Sequence, residues 1–414
     1  MRDCLHPLSK FRVKKEGGQP DVTPTSFTNQ VLDNKNKESV VKNSSSIRQF
    51  QIMLVVTHAC NLNCLYCYEK KRDSLAVDIE RFKEVISFYL NSNDYDYIVI
   101  EFFGGEPWIR KDIIIEICEW TWRQQWKNGY HFFTSTNGTL IHGDVQQWLH
   151  NHNQQISCGL SLDGMPKTHN QNRCNSYAQI DIDFFKSNWP KQPVKMTISP
   201  KSLSKLSDNI IFIHELGFRL AGTNVAEGID WSKSEYCKTL QIELERLVQY
   251  YLEHPSIEVA PILDLPIEKC ECDRQYVRNK DCAGKTIMAY DCDGKEYPCN
   301  YFTPMTFSED ELSNLKLSDF LEDKNLIDEY CFNNCYFYSI CPNCYGANYL
   351  ANGNLSERDK SMCNLVRIRA YYCAALQTHK ILQSDNNQSD NNLIALKIRA
   401  IKKIKEICEK ESWN

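Results

Sequence analysis

Fourteen of the chain's 20 cysteines stand in two groups, and that placement constrains the fold more than any other feature. Cys60, Cys64 and Cys67 share one short run, and eleven more lie between Cys270 and Cys373. The segment between them holds Cys118, Cys158, Cys174 and Cys237, which with Cys4 and Cys408 read as packing or surface thiols. The rest of the composition, 42% hydrophobic and 24% charged, is enough to bury a sizeable core. With 48 Lys+Arg against 53 Asp+Glu there is no basic footprint, so nucleic acid is not an expected partner. No run of about 18 apolar residues occurs, and Met1 to Lys15 contain no apolar segment of the signal-peptide kind. Neither a membrane span nor a secretory signal is expected, and the chain reads as cytoplasmic. In a reducing compartment, dense cysteine points to metal rather than to disulfides.

Residues 1–47 are rich in Lys, Asn, Ser and Thr and read as a polar mobile arm. From Gln51, short apolar runs alternate with amphipathic stretches, the pattern of repeated strand-helix units around a parallel sheet. Strands are expected at 51–56, 97–103, 131–135, 156–162, 194–199 and 218–224, with helices at 78–90, 112–126, 206–216 and 234–252. Six right-handed βα units over 48–255 make an α/β domain, a partial (β/α)6 TIM-like barrel. The period is lost in 256–378, where ligated metal is expected to replace part of an apolar core. Residues 379–414 read as a polar linker and a terminal amphipathic helix, with Ile394, Ile398, Ile401 and Cys408 on its buried face.

The first group, Cys60-x3-Cys64-x2-Cys67, directly follows the first strand. A structural zinc site takes four ligands, usually as two pairs, whereas three thiolates on one loop suit a 4Fe-4S cluster with one iron open. Zinc stays the alternative from spacing alone. With Tyr66 before the last cysteine, the run resembles the cluster motif of the radical S-adenosylmethionine (SAM) enzymes. The resemblance extends over most of the chain. It implies that the open iron chelates SAM, whose reductive cleavage yields a 5'-deoxyadenosyl radical, with electrons from a flavodoxin- or ferredoxin-type reductant. Gly104-Gly105-Glu106-Pro107, at the end of the second strand, is similar to the motif that lines the SAM amino group with backbone; in isolation it reads as a turn. Ser161-Leu-Asp163-Gly164 with Arg173 resembles the stretch whose serine and arginine hold the SAM carboxylate, a contact suited to a planar guanidinium. Ser135, Asn137 and Asp163 are expected either at the ribose or as caps of strand ends. His169 is expected to make a structural hydrogen bond.

In the second group the spacing runs Cys282, Gly294, Cys299, then Cys331-x3-Cys335-x5-Cys341-x2-Cys344, then Cys363. It is similar to the SPASM domain, which carries two auxiliary 4Fe-4S clusters, so three clusters in all are implied. The central block departs from the family order of x2, x5, x3. The family's interleaved ligation implies one set of Cys282, Cys299, Cys344 and Cys272, the last preferred over Cys270, and a second of Cys331, Cys335, Cys341 and Cys363. Cys292 and Cys373 are left over, and a pair of zinc ribbons is the alternative.

SPASM enzymes act mostly on peptides or proteins. The anaerobic sulfatase maturases among them oxidise serine or cysteine to formylglycine and use an aspartate after the second cysteine as base. Asn300 stands there, and an amide cannot take the proton. Asp291, Asp293 and Glu296 are candidate substitutes, but the catalytic base is not assigned by sequence. The expected activity is therefore maturation of a ribosomally made peptide through a thioether or carbon-carbon crosslink, with formylglycine formation and a non-catalytic iron-sulfur electron carrier as alternatives. The 1–47 arm is too short for a winged leader-recognition domain.

Overall fold

The computed structural model describes residues 47–70, 75–274, 282–316, 320, 327–383 and 391–410. Residues 1–46 of the expected arm, with Cys4, and most of the polar linker lie outside the described residues.

All six expected strands form: β1 (Gln49–Thr57), β2 (Tyr97–Gly104), β3 (Gly129–Thr136), β4 (Ile156–Leu160), β5 (Val194–Ile198) and β6 (Leu220–Val225). The intervening helices are α1 (Ile79–Asn91), α2 (Lys111–Trp122), α3 (Gly143–Asn151), α4 (Pro166–Asn172), α5 (Ile182–Asn188), α6 (Leu206–Glu215) and α7 (Ser234–Glu253). α1 shows why the helices pack as they do. Asp78 caps it by accepting from the Arg81 amide at 2.9 Å, and Phe82, Val85, Ile86 and Tyr89 recur on one buried face. Helices α3 to α5 were not among the expected ones. Each is at most nine residues, too short for a periodic signal to stand out.

The sheet order is β4-β3-β2-β1-β7-β8, where β7 (Ile287–Tyr290) and β8 (Glu296–Tyr297) come from the cysteine-rich segment. β7 runs parallel to β1, with Gln51 opposite Ile287 and Leu54 opposite Tyr290. β5 and β6 form a parallel pair joined to β4 by a bridge between Ser161 and Lys195. The result is an open, mainly parallel barrel with two strands more than expected, the parallel β7 and the short antiparallel β8, both contributed from beyond the 255 boundary. Alternation along β1 divides the interior. Ile52, Leu54 and Val56 pack with Phe82, Ile86 and Ile117 of the surrounding helices, while Met53 faces Ala289, Tyr297 and Phe302 of the cysteine-rich segment.

The helix Cys363–Gln383 packs on α7 and on the terminal helix Asn391–Lys410. The terminal helix buries Ala400 and Ile404 with Cys408 of the expected face, and Ile401 packs beside them, whereas Ile398 is 39% exposed. Ala400, Ile404 and Cys408 follow i, i+4, i+8, and they meet Val366, Ala370 and Cys373. No helix among the described residues is long and apolar enough to cross a membrane.

Ile404→Ala is expected to cost about 2–5 kcal/mol by leaving a cavity, whereas Ile398→Ala stays within about 0.5 kcal/mol. Urea denaturation of the two variants checks the burial.

Candidate cofactor and reaction site

Functional loops of such barrels lie at the C-terminal ends of the strands, and here the three-cysteine loop leaves β1 at that end. Gly105 donates to the Thr57 carbonyl at 3.2 Å and Glu106 to the Ala59 carbonyl at 2.9 Å, which straps the loop onto the end of β2. A Cβ on Gly104 would stand 2.2 Å from the Thr57 oxygen, and one on Gly105 2.4 Å from the Ala59 oxygen and 2.9 Å from the Cys60 Cβ. The glycines thus serve the passage of the cysteine loop itself; Gly104 also takes φ of 149°. The Glu106 carboxylate points away from the loop. It accepts from Thr136 Oγ1 and the Asn137 amide, each at 2.8 Å, and burial pushes it up to about 7.

Asp163 is a buried hub. It accepts from Tyr66 Oη at 2.7 Å, Asn172 Nδ2 and the Thr197 amide at 3.1 Å each, and Arg173 Nη2 at 3.2 Å. The Arg173 guanidinium lies 5.4 Å from the Tyr66 ring centroid. Asp163 therefore orients Tyr66 and Arg173 beside the cysteine loop and is fully committed to protein donors. Asn137 reaches the same loop, donating to Asn61 Oδ1 at 2.9 Å. Ser135 instead donates to Glu101 Oε1 at 3.1 Å inside the barrel, and Ser161 sits on the β4 to β5 bridge. His169 is structural: it touches Ser176 Oγ at 3.1 Å, and burial lowers it to about 4. Cys174, in a left-handed conformation with φ of 54°, donates its thiol to the Asn63 carbonyl at 2.9 Å.

Two features at the mouth were missed in the sequence. The first is a buried contact of 2.6 Å between His58 Nε2 and Asp291 Oδ1, which ties the start of the cysteine loop to the end of β7. With Cys292 these groups lie within 4.8 Å of one another. The Cys292 thiol, however, donates to the Val55 carbonyl at 3.2 Å, and burial pushes it up to about 12. The contact between His58 and Asp291 acts as a strut between the cysteine loop and β7. The second feature is Glu227, just beyond β6. Tyr301 Oη donates to its carboxylate, the Tyr301 ring stacks on Tyr68 with centroids 4.5 Å apart, and Asn300 Nδ2 donates to Tyr68 Oη at 3.2 Å. Burial raises Glu227 to about 7. Of the carboxylates weighed as substitute bases, Asp291 is held by His58, and Asp293 and Glu296 are exposed on the hairpin. No local motif announces Glu227, because its partners come from distant parts of the chain.

The cysteines of the second group fall into two neighbourhoods. Burial pushes the Cys363 thiol up, and Cys335 and Cys331 add to it; for Cys341 the added neighbours are Cys335 and Cys363. Burial likewise raises Cys344 to about 12, with Glu227 and Cys282 adding, and Cys299 and Cys344 both act on Tyr68. Cys270 is buried in an apolar cluster with Phe337 and Ile340 and has Cys335 as its thiol neighbour. Cys272 is half-buried, its thiol 3.6 Å from the Glu268 carbonyl. Cys373 and Cys408 are core residues, as are Cys118, Cys158 and Cys237. The donor sets suit iron-sulfur clusters: soft thiolates, gathered in threes and fours.

Residues 54–179 match the radical SAM superfamily. The fold agrees: the solved structure "Native anSMEcpe with bound AdoMet and Cp18Cys peptide" superposes with a TM-score of 0.62 at 15% identity, covering 81% of this chain and all (100%) of that one. Residues 54–179 thus form a radical SAM domain, which implies a 4Fe-4S cluster and SAM. Among curated relatives, the subtilosin biosynthesis protein AlbA of Bacillus subtilis is 25% identical over 311 residues, 70% of this chain and 66% of that protein. An uncharacterised protein of Methanocaldococcus jannaschii is 31% identical over 114 residues, 28% of this chain and 38% of that protein. The Fe-coproporphyrin III synthase of Methanosarcina barkeri is 28% identical over 158 residues, 37% of each. The matches thus span from 37% to 66% of these relatives' lengths.

Two predictions follow from the packing. Gly105→Ala displaces the loop and is expected to lower iron held there and to abolish SAM cleavage, measured by iron analysis and 5'-deoxyadenosine release. Glu101, buried against Gln51 and Ser135 and raised to about 7 by burial, favours the fold while neutral. Its contribution is full below about 4.5 and is lost as pH rises through about 7. Glu101→Gln should raise the melting temperature at pH 8 more than at pH 5.

Proposed function

We propose that this protein is a SPASM-type peptide maturase that installs a thioether or carbon-carbon crosslink in a ribosomally made peptide. The carrying observation is the convergence of the two cysteine groups at one barrel mouth, through the stacked Tyr68 and Tyr301 and the Glu227 carboxylate. The subtilosin relative, named for the biosynthesis of a bacteriocin, supports the peptide substrate. In this reading, Cys60, Cys64 and Cys67 hold the cluster that, with SAM bound, supplies the 5'-deoxyadenosyl radical. Gly104 and Gly105 admit its loop, and Arg173, oriented by Asp163, meets the SAM carboxylate with Ser161. Cys272, Cys282, Cys299 and Cys344 hold one auxiliary cluster, and Cys331, Cys335, Cys341 and Cys363 the other. Residues 48–255 supply the barrel with β7 as a borrowed strand, and 256–378 supply the auxiliary sites. The reductant is a flavodoxin- or ferredoxin-type protein of the cytoplasm.

Glu227 takes the proton released by the substrate, the role that Asn300 cannot fill. Burial keeps its carboxyl near neutrality, where a general base works best. Formylglycine formation is the weaker reading, because Asn300 spends its amide on Tyr68.

Reconstituted, reduced protein is expected to release 5'-deoxyadenosine from SAM and to carry roughly 12 Fe per chain. Co-expression with a precursor peptide encoded nearby should give a product lighter by the hydrogens lost at each link, read by mass spectrometry. An aldehyde on a co-expressed sulfatase would favour formylglycine formation instead. Replacing Cys60, Cys64 and Cys67 together by Ala should abolish SAM cleavage while leaving about eight Fe. Glu227→Gln should retain SAM cleavage and lower crosslinked product about 100-fold or more.

A further inference from the structure

Besides Arg367 at Cys363 and Arg369 at Cys341, two further cations, Lys360 and Arg358, stand around Cys331, Cys335, Cys341 and Cys363. Asp328 organises these two. Its Oδ1 accepts from the Cys331 amide at 2.9 Å, capping the short helix Glu329–Asn334, and its Oδ2 accepts from the Arg358 amide at 3.1 Å and from the Lys360 ammonium. Lys360 Nζ thereby lies 3.0 Å from Cys331 Sγ. Asp328 and Lys360 form an ion pair.

Arg358 is 3% exposed. Its Nη1 donates to the Tyr338 carbonyl at 3.1 Å, and its guanidinium carbon lies 4.1 Å from the Tyr338 ring centroid. Nε and Nη2 are buried without a hydrogen-bond acceptor. The same guanidinium stands beside Cys341. Buried donors left over next to the Cys341 thiol are costly in the protein alone. An anionic iron-sulfur cluster on those thiolates would take them, so the residues fit such a group.

A cluster carried by four thiolates is negative and gains a further negative charge on reduction. Nearby cations and hydrogen bonds to its sulfurs favour the reduced form and raise the potential. Beside Cys344 on the barrel side stands the Glu227 carboxylate, which accepts from Tyr301 Oη.

We propose that Lys360 and Arg358 set the reduction potential of the cluster at Cys331, Cys335, Cys341 and Cys363 above that of the cluster on the barrel side. The part of Asp328 is to aim the ammonium at Cys331. The difference concerns a single electron, with no bond made and no proton moved, and its external source is the flavodoxin- or ferredoxin-type reductant. The distal site is then where that electron rests. This rests on the auxiliary-cluster reading above.

The test uses the full chain with Cys60, Cys64 and Cys67 replaced by Ala, reconstituted anaerobically, with iron counted and the two auxiliary signals followed by electron paramagnetic resonance during a redox titration. The parent should show two midpoints, the distal one higher. Lys360→Gln, at a side chain 44% exposed and so tolerant of change, should keep its iron and move the distal midpoint to lower potential while the barrel-side midpoint stays. Lys360→Arg should restore the parent value, and Arg358→Gln should shift the distal midpoint in the same direction as Lys360→Gln. An unmoved distal midpoint at full iron, or a parent whose distal midpoint is the lower one, overturns the proposal and leaves the cluster reading standing. A parent with only one auxiliary signal and half the iron overturns both.

Discussion

Everything at the mouth of this barrel is registered on β1. It is bonded along one edge to β2, from Gln49 opposite Tyr97 to Thr57 opposite Gly104, and along the other to β7. The three-cysteine loop leaves its end, the Gly104-Gly105 turn is fitted beneath that loop, and β7 brings the auxiliary cysteines alongside. A parallel strand bonded on both edges cannot slide without breaking two ladders, and a slip of one residue would turn Met53 and Val55 away from the cysteine-rich segment they cover. His58 and Asp291 close the same arrangement one residue past the strand.

The parts legible in the sequence are those written in local spacing. Six strands and four of the helices repeat a hydrophobic period, and Cys60, Cys64 and Cys67 announce their loop by position alone. Glycine at 104 and 105 was legible as close approach, although what approaches is the cysteine loop. The parts not legible depend on distance in the chain. β7 is four residues long and lies among cysteines, Glu227 acquires its role from Tyr301, and His58 reads as an ordinary loop residue until Asp291 is beside it. The terminal helix misled for a different reason: several apolar arcs fit one amphipathic sequence, and only the partner helix selects Ala400 and Ile404 over Ile398.

The site divides its labour by charge. Carboxylates at the centre, Glu101, Glu106 and Glu227, are all lifted toward neutrality by burial, which lets the barrel hold acids without a lattice of counter-ions. Cations gather at the edges, with Arg173 at the cysteine loop and Lys360 and Arg358 at the distal thiols.

The strut between His58 and Asp291 joins residues 233 apart in sequence. A chain emerging from its amino terminus therefore makes β1 and β2 long before β7 exists to cover the other edge of β1. Until then an apolar strand with unpaired backbone groups stays open, the condition under which nascent chains pair with one another. Closure waits on a large loop whose ends must meet, a slow step by entropy alone. The borrowed strand thus makes the order of synthesis, and not only the finished contacts, part of what this sequence must survive.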